Sequence, residues 1–317
     1  MIAVRAPLRV SLGGGGTDLP SFFGDEEGFV VSAAIDKHVW LLVSTSFQDR
    51  FRLKHLEWEE VQNAAEVEHP ILRAALTHHW NGAPLELASA ADVPAGTGLG
   101  SSGAYAVCAI RALSGLEGEE LAEAACHLEI DLLARTVGKQ DQYAAVYGGV
   151  NAMTFRPGSV EIRRLELPEV SSVALRERFL LFYTGGSRSA SKVLKDQVTR
   201  TLAGDPGVRD NLRRTASLAR DTCRALEAGD LDACGALMNE SWETKRARSA
   251  AMVPAPLAEL RDLALRSGGQ GAMLMGAGGG GFLLVLAHRP EELRTAMTQA
   301  RAAELPFGVD TEGCVLR

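Results

Sequence analysis

Residues 94–103 read Pro-Ala-Gly-Thr-Gly-Leu-Gly-Ser-Ser-Gly and run directly into the helix-forming stretch 104–113. Gly96, Gly98 and Gly100 clear side chains from the backbone N–H groups, and the helix that follows begins with unpaired donors at the positive end of its dipole. That combination binds phosphate, and a triphosphate tail suits it. Ser101 and Ser102 stand at the helix start, either as N-caps or as hydroxyls in reach of a phosphate-bound magnesium ion.

Two carboxylates are candidates for the accompanying chemistry. In the helical pattern 119–135, Leu121, Ala125, Leu128 and Leu132 form an apolar stripe, and Glu129 lies about 60° from its centre. It is either a border acid in solvent or a metal ligand facing a cleft. Asp141, between the bend at Gly138 and a short helix, is either an N-cap or a group that orients and deprotonates an acceptor hydroxyl, with Arg9 or Lys139 as its charge partner. A third segment, Gly13-Gly14-Gly15-Gly16-Thr17-Asp18, follows the strand carrying Arg9. It reads either as a surface for a small polyhydroxyl ligand or as a turn with Asp18 as a helix N-cap.

Other nucleotide signatures fail. Gly276, Gly278 and Gly281 satisfy Gly-x-Gly-x-x-Gly, but Phe282-Leu283-Leu284-Val285-Leu286 continues as a strand where a dinucleotide fingerprint requires a helix. Gly138-Lys139 is followed by Gln140, so no Walker-type loop is present. The seven histidines contain no His-x-x-x-His pair and the five cysteines no Cys-x-x-Cys pair, so a zinc site is not expected and buried reduced thiols are.

The elements that must position these groups follow from periodicity. Strands are expected at 2–12, 29–34, 39–45, 51–54, 85–88, 149–155 and 160–165, with helices at 69–80, 104–113 and 119–135. Charged, irregular 166–177 reads as the boundary, dividing the chain into domains 1–172 and 173–317. The second half reads as a strand at 178–184, helices at 208–228, 231–246 and 256–267, strands at 272–275 and 282–287, a helix at 290–303 and a strand at 313–316. That is an α+β arrangement, a split β-α-β sandwich with inserted helices. A chain of 317 residues, 46% hydrophobic, buries enough for two domains. With 33 basic against 40 acidic residues and no basic patch with interleaved aromatics, nucleic acid is not an expected partner. Apolar runs too short for a membrane span, and an N-terminus unlike a signal peptide, give a soluble cytoplasmic protein as the expectation.

Taken together, these segments resemble the family named for galactokinase, homoserine kinase, mevalonate kinase and phosphomevalonate kinase, the GHMP kinases. The first motif resembles 6–12 through Asp18, the second is 94–103, and the third resembles 276–282. The resemblance implies an N-terminal domain like ribosomal protein S5 domain 2 and a ferredoxin-like C-terminal α/β sandwich. It implies ATP held by Pro94, Gly96, Gly98, Leu99, Gly100, Ser101, Ser102 and Gly103, magnesium on Ser102 and Glu129, Asp141 as the catalytic aspartate and Arg9 as its basic partner. Acceptor contacts would come from Gly14, Gly15, Gly16, Thr17, Asp18, Gln142, Gly278, Gly279 and Gly280.

Within the family, segments 13–23, 138–143 and 182–188 look like those of the D-glycero-D-manno-heptose 7-phosphate kinases, which phosphorylate the anomeric hydroxyl. A sugar phosphate needs a second anion site, for which Arg188 and Lys192 are candidates or else form a solvated helix start. The expected function is ATP-dependent phosphorylation of a sugar hydroxyl. The alternatives are a kinase of an unphosphorylated hexose or another small alcohol, or an idle sugar and nucleotide sensor on the same fold.

Overall fold

The structure, a computed structural model, describes residues 1–185, 190–249 and 252–317. The first half runs β1 (Ile2–Gly13), α1 (Pro20–Phe23), β2 (Gly28–Thr45), β3 (Phe51–Lys54), β4 (Trp58–Val61), α2 (Pro70–His79), β5 (Leu85–Ala91), α3 (Ser101–Ser114), α4 (Gly118–His127), α5 (Gln140–Tyr147), β6 (Val150–Arg156) and β7 (Ser159–Arg164). The second runs α6 (Glu169–Glu177), β8 (Phe179–Gly185), α7 (Ala190–Leu202), α8 (Pro206–Ala228), α9 (Leu231–Arg248), α10 (Ala255–Arg266), β9 (Gly269–Leu274), β10 (Gly281–Ala287), α11 (Pro290–Gln299), β11 (Ala303–Glu304) and β12 (Val315–Leu316).

The first sheet has the order β12-β1-β2-β5-β3-β4, with β6 on the first part of β2 and β7 beyond it. The apolar runs 29–34 and 39–45, expected as two strands, form the single strand β2. Asp36 and Lys37 are absorbed as a register shift, so that Pro7 pairs with His38 and Leu8 with Ile35. Pro7 has no N–H to lose there, which makes the irregularity cheap. It precedes Arg9, and α3 and α5 pack against this part of β1.

The second sheet is antiparallel throughout, in the order β11-β8-β10-β9, which is the ferredoxin-like arrangement. Its core includes Phe182, Trp242, Leu283, Val285 and Met297. The halves are not independent. Helix α8 packs on β1 and β2 of the first sheet, and β12 returns to pair with β1 at Val4 and Leu316. No helix among the described residues is long and apolar enough to cross a membrane.

Two further expectations are corrected and one helix is added. Segment 166–177 contains helix α6 rather than irregular chain, because Ser171, Ala174 and Leu175 supply a short buried stripe at helical spacing. Helix α7 escapes a hydrophobicity reading because its buried positions include the polar Gln197 and Thr201. The helix expected over 119–135 stops at His127 and gives way to a π turn, Leu128–Leu132, closed by the Leu133 N–H donating to the Leu128 carbonyl at 3.0 Å.

The two glycine turns, one from each half, meet backbone to backbone. A Cβ at Gly276 would lie 2.6 Å from the Gly98 Cα, one at Gly98 would lie 2.9 Å from the Met275 carbonyl oxygen, and one at Gly281 would overlap the Thr97 carbonyl. Gly276→Ala should therefore destabilise the fold by more than Gly158→Ala. Both residues have positive φ, +61° and +75°, but nothing lies within 4 Å of a Cβ at Gly158. The control should lose about 1–2 kcal/mol from left-handed backbone alone, and Gly276→Ala clearly more. Equal losses in denaturant melts would mean that the turns can part without cost.

Candidate active site

Arg9 is 5% exposed and organises the centre of the site. Its Nε donates to Asp141 Oδ1 at 2.8 Å, Nη2 reaches the same oxygen at 2.6 Å, and Nη1 donates to the Gly98 carbonyl at 2.6 Å. The Arg9 backbone N–H donates to the Leu99 carbonyl at 3.0 Å. One residue of β1 thus fixes both the glycine loop and the start of α5. Asp141 lies in the first turn of α5, against the start of α3, where a Cβ at Gly103 would come within 2.7 Å of the Asp141 Cβ. Asp141 is not an N-cap. Lys139 is not its partner either, because its ammonium donates to both Glu123 oxygens at 2.7 Å.

Gly96, Gly98 and Gly100 all have positive φ, and α3 begins at Ser101 directly after Gly100. The loop therefore turns its N–H groups and the helix dipole toward one place. Beside it, Asp18 closes the turn from Gly14. Its carboxylate accepts from the Gly16 N–H at 2.9 Å and from the Gln140 N–H at 3.2 Å, capping α5 from another segment rather than its own helix. Burial first, and then the Asp141 charge, push its carboxyl above the usual range, opposed by those N–H donors. A Cβ at Gly138 would overlap this carboxylate.

The π turn carries Glu129 inward, where it is 0% exposed. Its Oε1 accepts from Arg135 at 3.0 Å and its Oε2 from Gln142 Nε2 at 2.7 Å. Burial raises its pKa, and Arg135, Ser102 and Gln142 pull it back. Ala134, with φ +48°, makes the bend that sends Arg135 back to it. Gln142 Oε1 is buried without a partner. Oxygen donors of this kind, one carboxylate and one hydroxyl beside a phosphate cradle, suit magnesium, which takes few protein ligands and shares the rest with phosphates.

Arg9, Asp18, the Gly96–Gly100 loop, Ser102, Arg135 and Asp141 open on one cavity of about 970 Å³ walled by both halves of the chain, whereas Glu129 and Gln142 do not line it. One lobe is lined by Val39, His69, Ile71, Val93 and Tyr105, and the rings of His69 and Tyr105 lie 4.9 Å apart. Burial, with His55 and Arg135 nearby, pushes His69 down to about 4, so its ring is uncharged at neutral pH and, with Tyr105 and the aliphatic side chains, suits a base. The opposite wall carries two cations that were not singled out in the sequence, Lys245 and Arg248. The Lys245 ammonium donates to the carbonyls of Leu274 at 2.8 Å and Gly276 at 2.6 Å. Burial, then Arg248 and Arg9, push it down to about 7. The available signal was spacing: Trp242, Lys245 and Arg248 recur every three residues on one side of α9.

Of the residues expected at the site, Arg9, Gly14, Gly15, Gly16, Asp18, Pro94, Gly96, Gly98, Gly100, Ser101, Ser102, Asp141, Gly278 and Gly280 line the cavity. Others do not. Thr17 is buried and donates to the carbonyls of Gly14 and Phe29. Leu99 and Gly103 are core positions, and Gln142 serves Glu129 instead of the acceptor. Gly279 donates its N–H to the Met252 carbonyl at 2.8 Å, so it is committed to packing the turn. Arg188 lies outside the described residues, and for Lys192 only its place in α7 is described.

Comparison with known proteins agrees with this geometry. Residues 60–149 match the profile of the GHMP kinases N terminal domain, and residues 223–303 match that of the GHMP kinases C terminal domain, together more than half of the chain. The chain is 26% identical to D-glycero-alpha-D-manno-heptose 7-phosphate kinase of Campylobacter jejuni, over 89% of this chain and 88% of that protein. It is 27% identical to the bifunctional fucokinase/GDP-fucose pyrophosphorylase of Arabidopsis thaliana, over 92% of this chain. It spans only 30% of the length of that longer protein. The fold matches a D-glycero-D-manno-heptose 1-phosphate kinase from Bacteroides thetaiotaomicron with a TM-score of 0.81 at 22% identity, covering 100% of this chain and 99% of the other. Members of this family are phosphotransferases with hydroxyl acceptors that use ATP as the phosphate donor. Two family profiles in chain order, on a fold that brings a glycine cradle and an Arg–Asp pair to one cavity, lead to one conclusion: the chain belongs to the GHMP kinase family.

Proposed function

We propose that the chain transfers the γ-phosphoryl group of ATP to a sugar hydroxyl, most specifically the anomeric hydroxyl of D-glycero-D-manno-heptose 7-phosphate or a closely related sugar. The observation that carries this reading is the Arg9–Asp141 pair, set between the Gly96–Gly100 cradle and the Asp18 turn. The resemblance to the Campylobacter jejuni kinase across nearly the whole chain supports the sugar. A cytoplasmic setting goes with an ATP-consuming reaction.

The base would sit in the lobe by His69 and Tyr105, and the phosphates on the N–H groups that open α3. Asp141 accepts the hydrogen bond of the acceptor hydroxyl, orients its oxygen toward the γ-phosphorus and receives its proton as the new P–O bond forms and the bond to the β-phosphate oxygen breaks. Arg9 balances the charge of Asp141 and holds the loop at a fixed distance from it. Catalysis of this kind comes from positioning and from fixed charge rather than from covalent chemistry by the protein. Magnesium, when bound, would be held by Ser102 and Glu129 and would neutralise phosphate charge.

Asp141→Asn should lower kcat by about 10³-fold or more while changing the affinity for ATP by less than about threefold. ADP release with a sugar panel and a nucleotide-binding titration measure the two; near-normal turnover would remove Asp141 from the chemistry. A second expectation concerns Lys245. Its pKa of about 7 in the folded protein lies below the ordinary 10.5, so at pH 8 it is mostly neutral. Phosphate anions entering the cavity raise that pKa, so binding takes up a proton at pH 8 and weakens as pH rises further. Calorimetry in two buffers of different ionisation enthalpy should show this uptake, and Lys245→Met should abolish it.

A further inference from the structure

Arg248, the last residue of α9, is 5% exposed and lines the cavity beside the Gly15–Gly16 turn. Three other elements hold its guanidinium. Nε donates to Asn211 Oδ1 at 2.8 Å and Nη2 to Thr215 Oγ1 at 2.6 Å, both on α8. Nη1 donates to Gln197 Oε1 of α7 at 3.1 Å and to the Gly15 carbonyl at 3.2 Å. Gly16 has no side chain because a Cβ there would lie 2.6 Å from Nη1. All four acceptors are neutral. Among the described residues no carboxylate lies within ion-pair distance of Arg248, and Asp18 acts on it only from farther away.

A buried guanidinium is costly unless its charge is balanced, and neutral acceptors satisfy its hydrogen bonds without balancing it. Four contacts leave one of the five N–H groups of an arginine, on Nη2, uncommitted. They also fix the fork in one orientation, so little side-chain entropy remains to be lost on binding an anion. Lys245, one helical turn earlier on α9, has two contacts that are again neutral carbonyls, and it becomes a second cation when an anion in the cavity raises its lowered pKa. Arg9, by contrast, is already neutralised by Asp141. The cavity therefore has a balanced reacting centre and, on the Gly15 side, a guanidinium with no carboxylate paired to it. Asp18 forms no ion pair with Arg248 and acts on it only through space, its carboxylate oxygens being held by the Gly16 and Gln140 N–H groups.

We propose that Arg248 is the anchor for a phosphate monoester already carried by the acceptor, and so the residue that selects phosphorylated over unphosphorylated sugars. This rests on the sugar-kinase reading above and deepens it. It places a second anion site at the end of α9, distinct from the expected candidates Arg188 and Lys192, which nothing in the described residues tests. An acceptor gripped by its phosphate at Arg248 and lying along the Gly14–Gly16 backbone would present its other end toward Asp141.

The test compares kcat/KM for a heptose 7-phosphate and the free heptose, with the 6-phosphate, the uronic acid and the free form of a hexose as further arms. The wild-type protein should favour each phosphorylated form over its free sugar. Arg248→Gln should reduce that preference on the order of 10- to 100-fold, mainly through the KM of the phosphorylated acceptor. Arg248→Lys, which keeps the charge, should retain much of it. Equal losses on both acceptors, with Lys no better than Gln, would show that Arg248 only holds the Gly15 turn and would overturn the proposal. So would a wild-type preference for the free sugar, a measurement that needs no variant to fold. A preference for the uronic acid that Arg248→Gln abolishes would overturn the phosphate assignment in favour of a carboxylate. If no acceptor yields ADP, the kinase reading fails. Calorimetric affinities for the same pairs then decide the subsite independently, a phosphate preference lost in Arg248→Gln upholding it and no preference sinking it.

Discussion

Arg9 is the point through which the site is held together. Its guanidinium ties the first turn of α5 to the glycine loop, and its backbone ties that loop to β1. The two charge-assisted contacts to one Asp141 oxygen set the carboxylate relative to the phosphate cradle, a distance that in-line transfer tolerates poorly if it drifts. The register shift at Pro7 and Leu8 matters for the same reason, since it sets the phase in which Arg9 leaves the strand.

Around that centre, close approach of backbone to backbone takes over from side-chain packing. The turns at Gly98 and Gly276 leave no room for side chains, and this joins the two halves at the cavity rather than at a distance from it. Helix α8 packing on the first sheet and β12 pairing with β1 add to the same union. A ligand held between these two walls is withdrawn from bulk water, which strengthens each charged contact it makes there. That is the setting in which Arg248 and Lys245, bound only to neutral acceptors, gain their effect on an anionic ligand.

Much of this was legible in the order of residues. The glycine cradle at 94–103, the strand bearing Arg9, the acidic turn at Asp18 and the third glycine turn are local patterns. Each depends on residues close together in the chain, and periodicity placed the strands and long helices around them. The exclusions were equally local: a strand after Gly281 rules out a dinucleotide fingerprint, whatever the rest of the chain does.

What the tertiary structure decided is which polar groups meet. Residue types and spacing alone do not separate Arg9 from Lys139 as the partner of Asp141, although the family resemblance pointed to Arg9; the fold gives Lys139 to Glu123 and Arg9 to Asp141. Glu129 sat on the border of a helical stripe until a π turn, invisible to a 3.6-residue period, buried it. The extent of helix α7, beyond a solvated helix start, and the role of Arg248 went unread because their buried faces are polar, and burial of a polar side chain depends on partners that arrive from elsewhere in the chain. Local sequence determined the elements and the phosphate cradle, since backbone conformation responds to near neighbours. The charge balance of the cavity was set only by folding, because electrostatic energy depends on distance through space and on solvent excluded by both halves together.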